Sequence, residues 1–151
     1  MAVPYTEANS STARAEIIRI LRGFGCEAIG FMDNFDQQSV TLAFRHRGRA
    51  VELHASAKGW AALYLKKNPW SRYRRISPTE YEHRALTQGM KAVNSILRDW
   101  IKGQVTAVEC GILSFEAVFM PHMLTNDGRP LIERLEEKGM LPAPDDEGDA
   151  A

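Results

Sequence analysis

An α+β fold, a three-stranded antiparallel sheet in the order α-β-β-β-α followed by long helices packed on one face, is predicted by three patterns in this chain. Val40, Leu42 and Phe44 alternate with polar or small residues, and Val51 and Leu53 repeat the alternation after a turn at Arg47-Gly48, the period of a hairpin with one buried face. Ser77-Pro78-Thr79-Glu80 is a capping box with proline at the first helical position, the signature of a helix start. From Leu86 onward, apolar residues recur in steps of three or four as Met90, Val93, Leu97, Trp100 or Ile101, Val105, Val108, Ile112, Phe115 and Phe119. One core stripe therefore continues through about 35 residues of helix.

Taken in order, the first helix is expected from the capping cluster at 9–12 to about Arg22. Its apolar stripe is Ile17, Ile18, Ile20 and Leu21, with Arg14, Arg19 and Arg22 facing water, and Gly23 and Gly25 stop it. A first strand is expected over about 26–32, ended by the turn formers of 33–38. The hairpin follows. Ser56 is positioned to cap a helix over about 57–67, with Trp60, Leu63 and Tyr64 on one side and Asn68-Pro69 ending it. In the long helical stretch Gly103 and Gly111 are the weak points, and Thr106 with Glu109, or Ser114, could restart it. Asn126-Asp127-Gly128 reads as a turn and 130–138 as a short last helix ended by Gly139.

Length and composition bound the class. With 151 residues, 44% apolar and 25% charged, the chain fits one globular domain over residues 1–141, and the acidic, proline-containing stretch 142–151 is expected to be a disordered tail. No apolar run approaches the roughly 20 residues of a membrane span, and the first residues lack a signal-peptide pattern. The expectation is a cytoplasmic protein without a membrane partner. Cys26 and Cys110 have no metal-ligand spacing and read as buried thiols. The formal net charge is zero, yet residues 1–75 hold 12 Lys and Arg against 6 Asp and Glu, and the remainder 7 against 13. A basic surface from the first half and an acidic one from the second are implied.

The most suggestive stretch is 58–75. It carries Lys58, Lys66, Lys67, Arg72, Arg74 and Arg75 with Trp60, Tyr64, Trp70 and Tyr73 interleaved, and no acidic residue occurs from 53 through 79. Lys and Arg neutralise phosphates while aromatic rings stack on unpaired bases, so this mixture points to single-stranded nucleic acid as the partner. Arg45, Arg47 and Arg49 at the hairpin turn would enlarge the patch if both ends of the sheet face the same way. The competing reading is a solvated basic face, with Trp60 and Tyr64 in the core and the acidic half as its intramolecular partner.

An enzyme would need a carboxylate cluster or a base beside a nucleophile. Helix, three strands and helix is also the order in restriction-endonuclease-like nucleases, in which an acid on the second strand and Glu-x-Lys on the third bind a divalent metal. Glu52-Leu53-His54 holds the place of Glu-x-Lys and Glu16 lies on the first helix, but Thr41 and Ala43 occupy the second-strand positions and Asp36 precedes that strand. His46, His83 and His122 are scattered without ligand spacing, and Gly23-Phe24-Gly25 is explained by capping rather than by phosphate binding. Asp99, Glu109 and Glu116 could share a helix side, but single acids flanking an apolar stripe usually pair with neighbours such as Arg98 and Lys102. No catalytic residue, metal ligand or cofactor is assigned.

The segment from Ile96-Leu97-Arg98-Asp99-Trp100-Ile101 through Val105-Thr106-Ala107-Val108-Glu109, with Ser114-Phe115-Glu116, Phe119 and the Asp127-Gly128-Arg129 turn, resembles uncharacterised small proteins encoded by tailed bacteriophages and prophages. Ala55-Ser56-Ala57-Lys58-Gly59-Trp60 is similar too, so the likeness covers roughly residues 40–135. The resemblance implies an origin in a phage or bacterial genome, the cytoplasm of a bacterial host as the setting, and a role in phage DNA metabolism or host takeover. It brings no site residues. Finally, the apolar density of 77–120, with Trp100, Ile101, Ile112, Leu113, Phe115, Val118 and Phe119, exceeds what a small sheet covers. Two outcomes follow: a homodimer or a host-protein interface, or a chain that folds back at Gly103 or Gly111 to bury the surplus itself.

Overall fold

The computed structural model describes residues 2–145; most of the tail expected over 142–151 lies outside them, and 142–145 form neither helix nor strand. Helix α1, Ser10–Phe24, starts where the side chain of Asn9 accepts from the Thr12 amide at 3.2 Å, and ends where Gly25 turns left-handed at φ 99° and caps the carbonyls of Arg22 and Leu21. Ala13, Ile17 and Leu21, one per turn, are buried. Arg14 does not face water as expected. Its guanidinium donates to Asn94 and to Asp33 at 2.9 and 2.5 Å and lies over the Phe31 ring.

Strands β1 (Ala28–Asn34), β2 (Ser39–His46) and β3 (Arg49–Ser56) pair antiparallel in the order β1-β2-β3, so the predicted α+β architecture is present. β1 begins two residues later than expected because Glu27 also donates to the Arg45 carbonyl, the residue that Ala28 already opposes, and this bulge sets the entry to the strand. Arg47 and Gly48 have φ 50° and 78°, the two left-handed residues of a tight hairpin. The register pairs Phe44 with Val51 and Leu42 with Leu53, and these apolar residues form one buried face with Val40. Ile17 and Leu21 of α1 and Val93, Leu97, Ile101 and Val105 of the long helix cover it.

Helix α2, Lys58–Lys67, packs beside helix α3, Pro78–Glu109. Ser56 does not cap α2 at the expected position; its hydroxyl accepts from the Lys58 amide at 3.2 Å, while Ala57 occupies the cap. Leu63 is exposed rather than sharing the buried side of Trp60. At the start of α3 the Ser77 hydroxyl accepts from the Glu80 amide at 3.1 Å, as predicted, but the Glu80 carboxylate turns to Arg84 at 3.1 Å instead of reaching back.

α3 runs straight through Gly103, which points to solvent and costs only helix propensity, and stops at Cys110 and Gly111, whose φ is 73°. Ser114 caps α4, Phe115–Phe119, by accepting from the Ala117 amide at 3.0 Å. A 3₁₀ turn, Met120–His122, leads to Met123 and Leu124, which pair with the outer edge of β3, and α5, Leu131–Lys138, closes at Gly139 with φ 61°. The reversal at Gly111 brings Phe119 edge-on to Phe44 and to Trp100, with ring centres at 5.5 and 5.8 Å. Of the apolar surplus, Ile101, Val118 and Phe119 are buried within the chain and Ile112 and Leu113 stay exposed. Cys26 is half-buried, but Cys110 is exposed, because it caps the helix end rather than lying within the stripe. Among the described residues no helix is long and apolar enough to cross a membrane.

Candidate nucleic-acid interface

The basic segment forms α2 and the loop that returns the chain to α3. Lys66 and Lys67 lie in the last turn of α2, where its partial negative charge favours cations, and Lys58 lies in the first turn at the other end. In the loop, the Trp70 indole donates to the Ile76 carbonyl at 2.8 Å, which holds the loop closed. Tyr73 is 82% exposed, with the Arg72 guanidinium 5.4 Å from its ring centre. Arg74 stacks over Tyr81 at 4.4 Å.

Between the loop, α2 and the first turns of α3 is a pocket of about 530 Å³. Arg74, Arg75 and Arg84 line it with Tyr64, Tyr81 and Gln88, and Thr6 of the N-terminal segment borders it. That segment is tied down by the Trp60 indole donating to the Pro4 carbonyl at 2.9 Å and by Gln88 donating to the Tyr5 carbonyl at 3.2 Å. The Tyr81 hydroxyl donates to the Asn68 carbonyl, and burial raises its pKa above the usual tyrosine value, so this ring is a neutral wall of the pocket. Trp60 is buried and stacks on Tyr64 at 5.4 Å. The rings with free surface are Tyr73, Trp70 and part of Tyr64. Arg84, Tyr81 and Gln88 line the pocket without belonging to the basic, aromatic stretch 58–75. Their signal is the helical spacing 81, 84, 88, which puts them on one face directly after the capping box.

The hairpin arginines do not join this patch. Arg45 lies on the outer face of β2, Arg47 in the turn, and Arg49 is paired with Glu116 at 3.0 Å. Arg47 and Arg49 border a different pocket, of about 580 Å³, with Phe24, His46 and Val108. Along α3, Val108 lies 20 residues beyond Gln88, about 30 Å at 1.5 Å per residue. The larger patch built from both ends of the sheet is therefore not formed.

A third pocket, of about 470 Å³, lies between β3, α3 and α5 and contains the Glu52-Leu53-His54 motif. His54 sits between two carboxylates, with Glu52 at 3.0 Å from Nε2 and Glu133 at 3.2 Å from Nδ1. His122 lines the same pocket, and burial together with the nearby His54 lowers its pKa. Directly across from Glu52 and His54 on β2 stand Ala43 and Thr41, so the strand that carries an acid in the nucleases carries none here. Among the described residues no group of three or more His, Cys, Asp or Glu side chains is placed to hold a metal ion. Asp99 is bound by Arg98 and by the Tyr5 hydroxyl and Glu116 by Arg49, so the helical acids do not converge. Comparison with known proteins found no matching family model, no matching curated protein and no matching solved structure.

Proposed function

We propose that this chain binds single-stranded nucleic acid at the pocket between α2, the 68–77 loop and the start of α3. The observation that carries the reading is the convergence of Arg74 and Arg75 of the loop and Arg84 of α3 on one 530 Å³ pocket, with the exposed Tyr73 next to Arg74 in the loop. No carboxylate occurs between Glu52 and Glu80, and Glu80 is engaged with Arg84 alone, so the loop keeps a net positive field. Guanidinium groups meet phosphate oxygens, and exposed Tyr73 and Trp70 offer faces on which bases stack, each worth about 1–3 kcal/mol. A role in phage DNA metabolism, implied by the resemblance of residues 40–135, is of the same kind.

Fluorescence anisotropy with a labelled oligonucleotide tests the reading. Micromolar protein should bind in low salt and release as salt rises. Arg74→Ala with Arg75→Ala should weaken binding at least about tenfold and flatten the salt dependence, whereas Arg19→Ala on the exposed face of α1 should not. Absence of binding in low salt overturns the proposal.

A further inference from the structure

β1 is the free edge of the sheet. On the other edge, β3, Met123 pairs with Val51 and the Leu124 amide donates to the Ala50 carbonyl at 2.8 Å. In a two-residue hairpin the closing residues, here His46 and Arg49, exchange hydrogen bonds, and the direction of the backbone groups then alternates along the strand. Phe44, Leu42 and Val40 thus turn their backbone toward β3, and Arg45, Ala43 and Thr41 toward β1, where they oppose Ala28, Gly30 and Met32. The N–H and C=O groups of Ile29, Phe31 and Asp33 point away from the sheet. No backbone group among the described residues pairs with them.

Edge strands of soluble proteins are usually guarded by lysine, proline, a bulge in mid-strand or a covering element. β1 reads Ala-Ile-Gly-Phe-Met-Asp-Asn, with neither lysine nor proline, and its single charge, Asp33, is held by Arg14 at 2.5 Å. Met32 is 67% exposed, and Phe35, just past the strand, is 78% exposed.

We propose that β1 pairs antiparallel with β1 of a second copy of this chain about a two-fold axis at Phe31, joining two three-stranded sheets into one. This register alone uses every outward group: Phe31 exchanges hydrogen bonds with the partner's Phe31, and Ile29 with the partner's Asp33. Centring the axis on Gly30 or Met32 leaves one of the three residues without an outward-facing partner. On the outer face the register sets the exposed Met32 over the partner's Gly30, and a Cβ at Gly30 would have nothing within 4 Å, so the thioether has space there. Asp33 lies beside the partner's Ile29, so no like charges meet. The same patch serves both copies, as a two-fold interface requires.

Sedimentation velocity across the micromolar range should give twice the 17.0 kDa of one chain. Gly30→Glu with Met32→Glu sets carboxylate against carboxylate at both crossings and should raise the dissociation constant at least about tenfold. Gly30→Lys with Met32→Glu sets opposite charges at the same crossings and should retain the dimer. Hydrogen exchange on the wild-type protein needs no variant to fold: the amides of Ile29, Phe31 and Asp33 should gain protection as concentration rises. A single-chain mass throughout, a dimer indifferent to the two Glu substitutions, or exchange at these three amides that ignores concentration overturns the proposal. Both substituted positions lie on β1 and neither lines the pocket of Arg74 and Arg75, so failure of oligonucleotide binding leaves this result untouched, and the reverse.

Discussion

Gly89 of α3 lies so close to Ala57 at the start of α2 that a Cβ on it would come within 3.0 Å of the Ala57 carbonyl oxygen and 3.4 Å of the Trp60 ring. This contact sets how near α2 approaches α3, and hence the width of the pocket between Tyr64 and Tyr81. Gly103, on the same helix, has nothing within 4 Å of such a Cβ. Alanine is favoured over glycine in a helix interior by about 1 kcal/mol. At Gly103 that gain stands alone, so Gly103→Ala should raise stability by about 0.5–1 kcal/mol in urea unfolding. At Gly89 the backbone of α2 must shift, a cost of about 1–3 kcal/mol, so Gly89→Ala should be destabilising. Equal shifts for the two variants would show that the helices are not in close contact at this point.

His46 supplies a pH dependence. Its ring is buried between Phe24 and Phe115, with centres at 4.4 and 4.8 Å, and its Nδ1 has no hydrogen-bond partner. Burial first, and then the charge of Arg47, holds its pKa below the ordinary 6.5. The unfolded chain therefore binds the proton more readily than the folded one. Stability is complete above about pH 6.5 and falls as pH drops through the folded pKa, and His122, lowered by burial and by His54, adds a loss of the same sign. His46→Phe keeps the stacked ring and removes the orphaned nitrogen. Its urea midpoint should fall less between pH 7.5 and pH 5 than that of the wild type. Parallel falls would assign the loss to other groups.

The thiols should differ in reactivity. Burial pushes the Cys26 thiol up from 9.0 to about 11, with Glu27 adding to the shift, while Cys110 is exposed at the end of α3. A rise of two units lowers the thiolate fraction about a hundredfold near pH 8. Iodoacetamide should modify Cys110 first, and peptide mass mapping should find Cys26 alkylated far more slowly in the native protein. Comparable rates would contradict the burial of Cys26.

What could be read in advance was whatever short-range chemistry dictates. The alternation of Val40, Leu42 and Phe44, the Ser77 cap and the left-handed Gly139 each act over a few residues, and each appears where its pattern placed it. Gly103 and Gly111 could not be told apart, because one glycine tolerates helix on an exposed face and the other needs a positive φ that only the tertiary path demands. The pairing of Met123 with Val51 joins residues about seventy apart, and two residues carry no strand pattern of their own. At the proposed site, Arg72, Tyr73, Arg74 and Arg75 are contiguous in the sequence, and Arg74 and Arg75 line the pocket. Arg84 and Gln88 reach the pocket only because α2 and α3 are antiparallel neighbours, and Arg47 and Arg49 border a different pocket because a strand carries them to the far end of the sheet.

Asn94 is a polar residue on the apolar stripe, 1% exposed, and it ties three elements together. Its Oδ1 accepts from Arg14 Nε at 2.9 Å, and its amide donates to the Met90 carbonyl at 2.9 Å and to the Ser10 hydroxyl at 3.3 Å. Arg14, so oriented, reaches Asp33 of β1 and covers Phe31, so a single amide aligns α1, α3 and the sheet edge. Asn94→Ala leaves Arg14 Nε without its acceptor, although Asp33 still holds the other end of the guanidinium, and opens a small void, at a cost of about 2–3 kcal/mol. Asn94→Leu fills the space but restores no acceptor and should remain destabilised. Asn94→Asp keeps the acceptor yet sets a carboxylate against the Met90 carbonyl, so it should recover only part of the loss. In a double-mutant cycle with Arg14→Met, the coupling should be about 1 kcal/mol or more. Strict additivity would mean that Arg14 and Asn94 act independently, and that the helix α1 to α3 contact is held by Ala13, Ile17 and Leu21 alone.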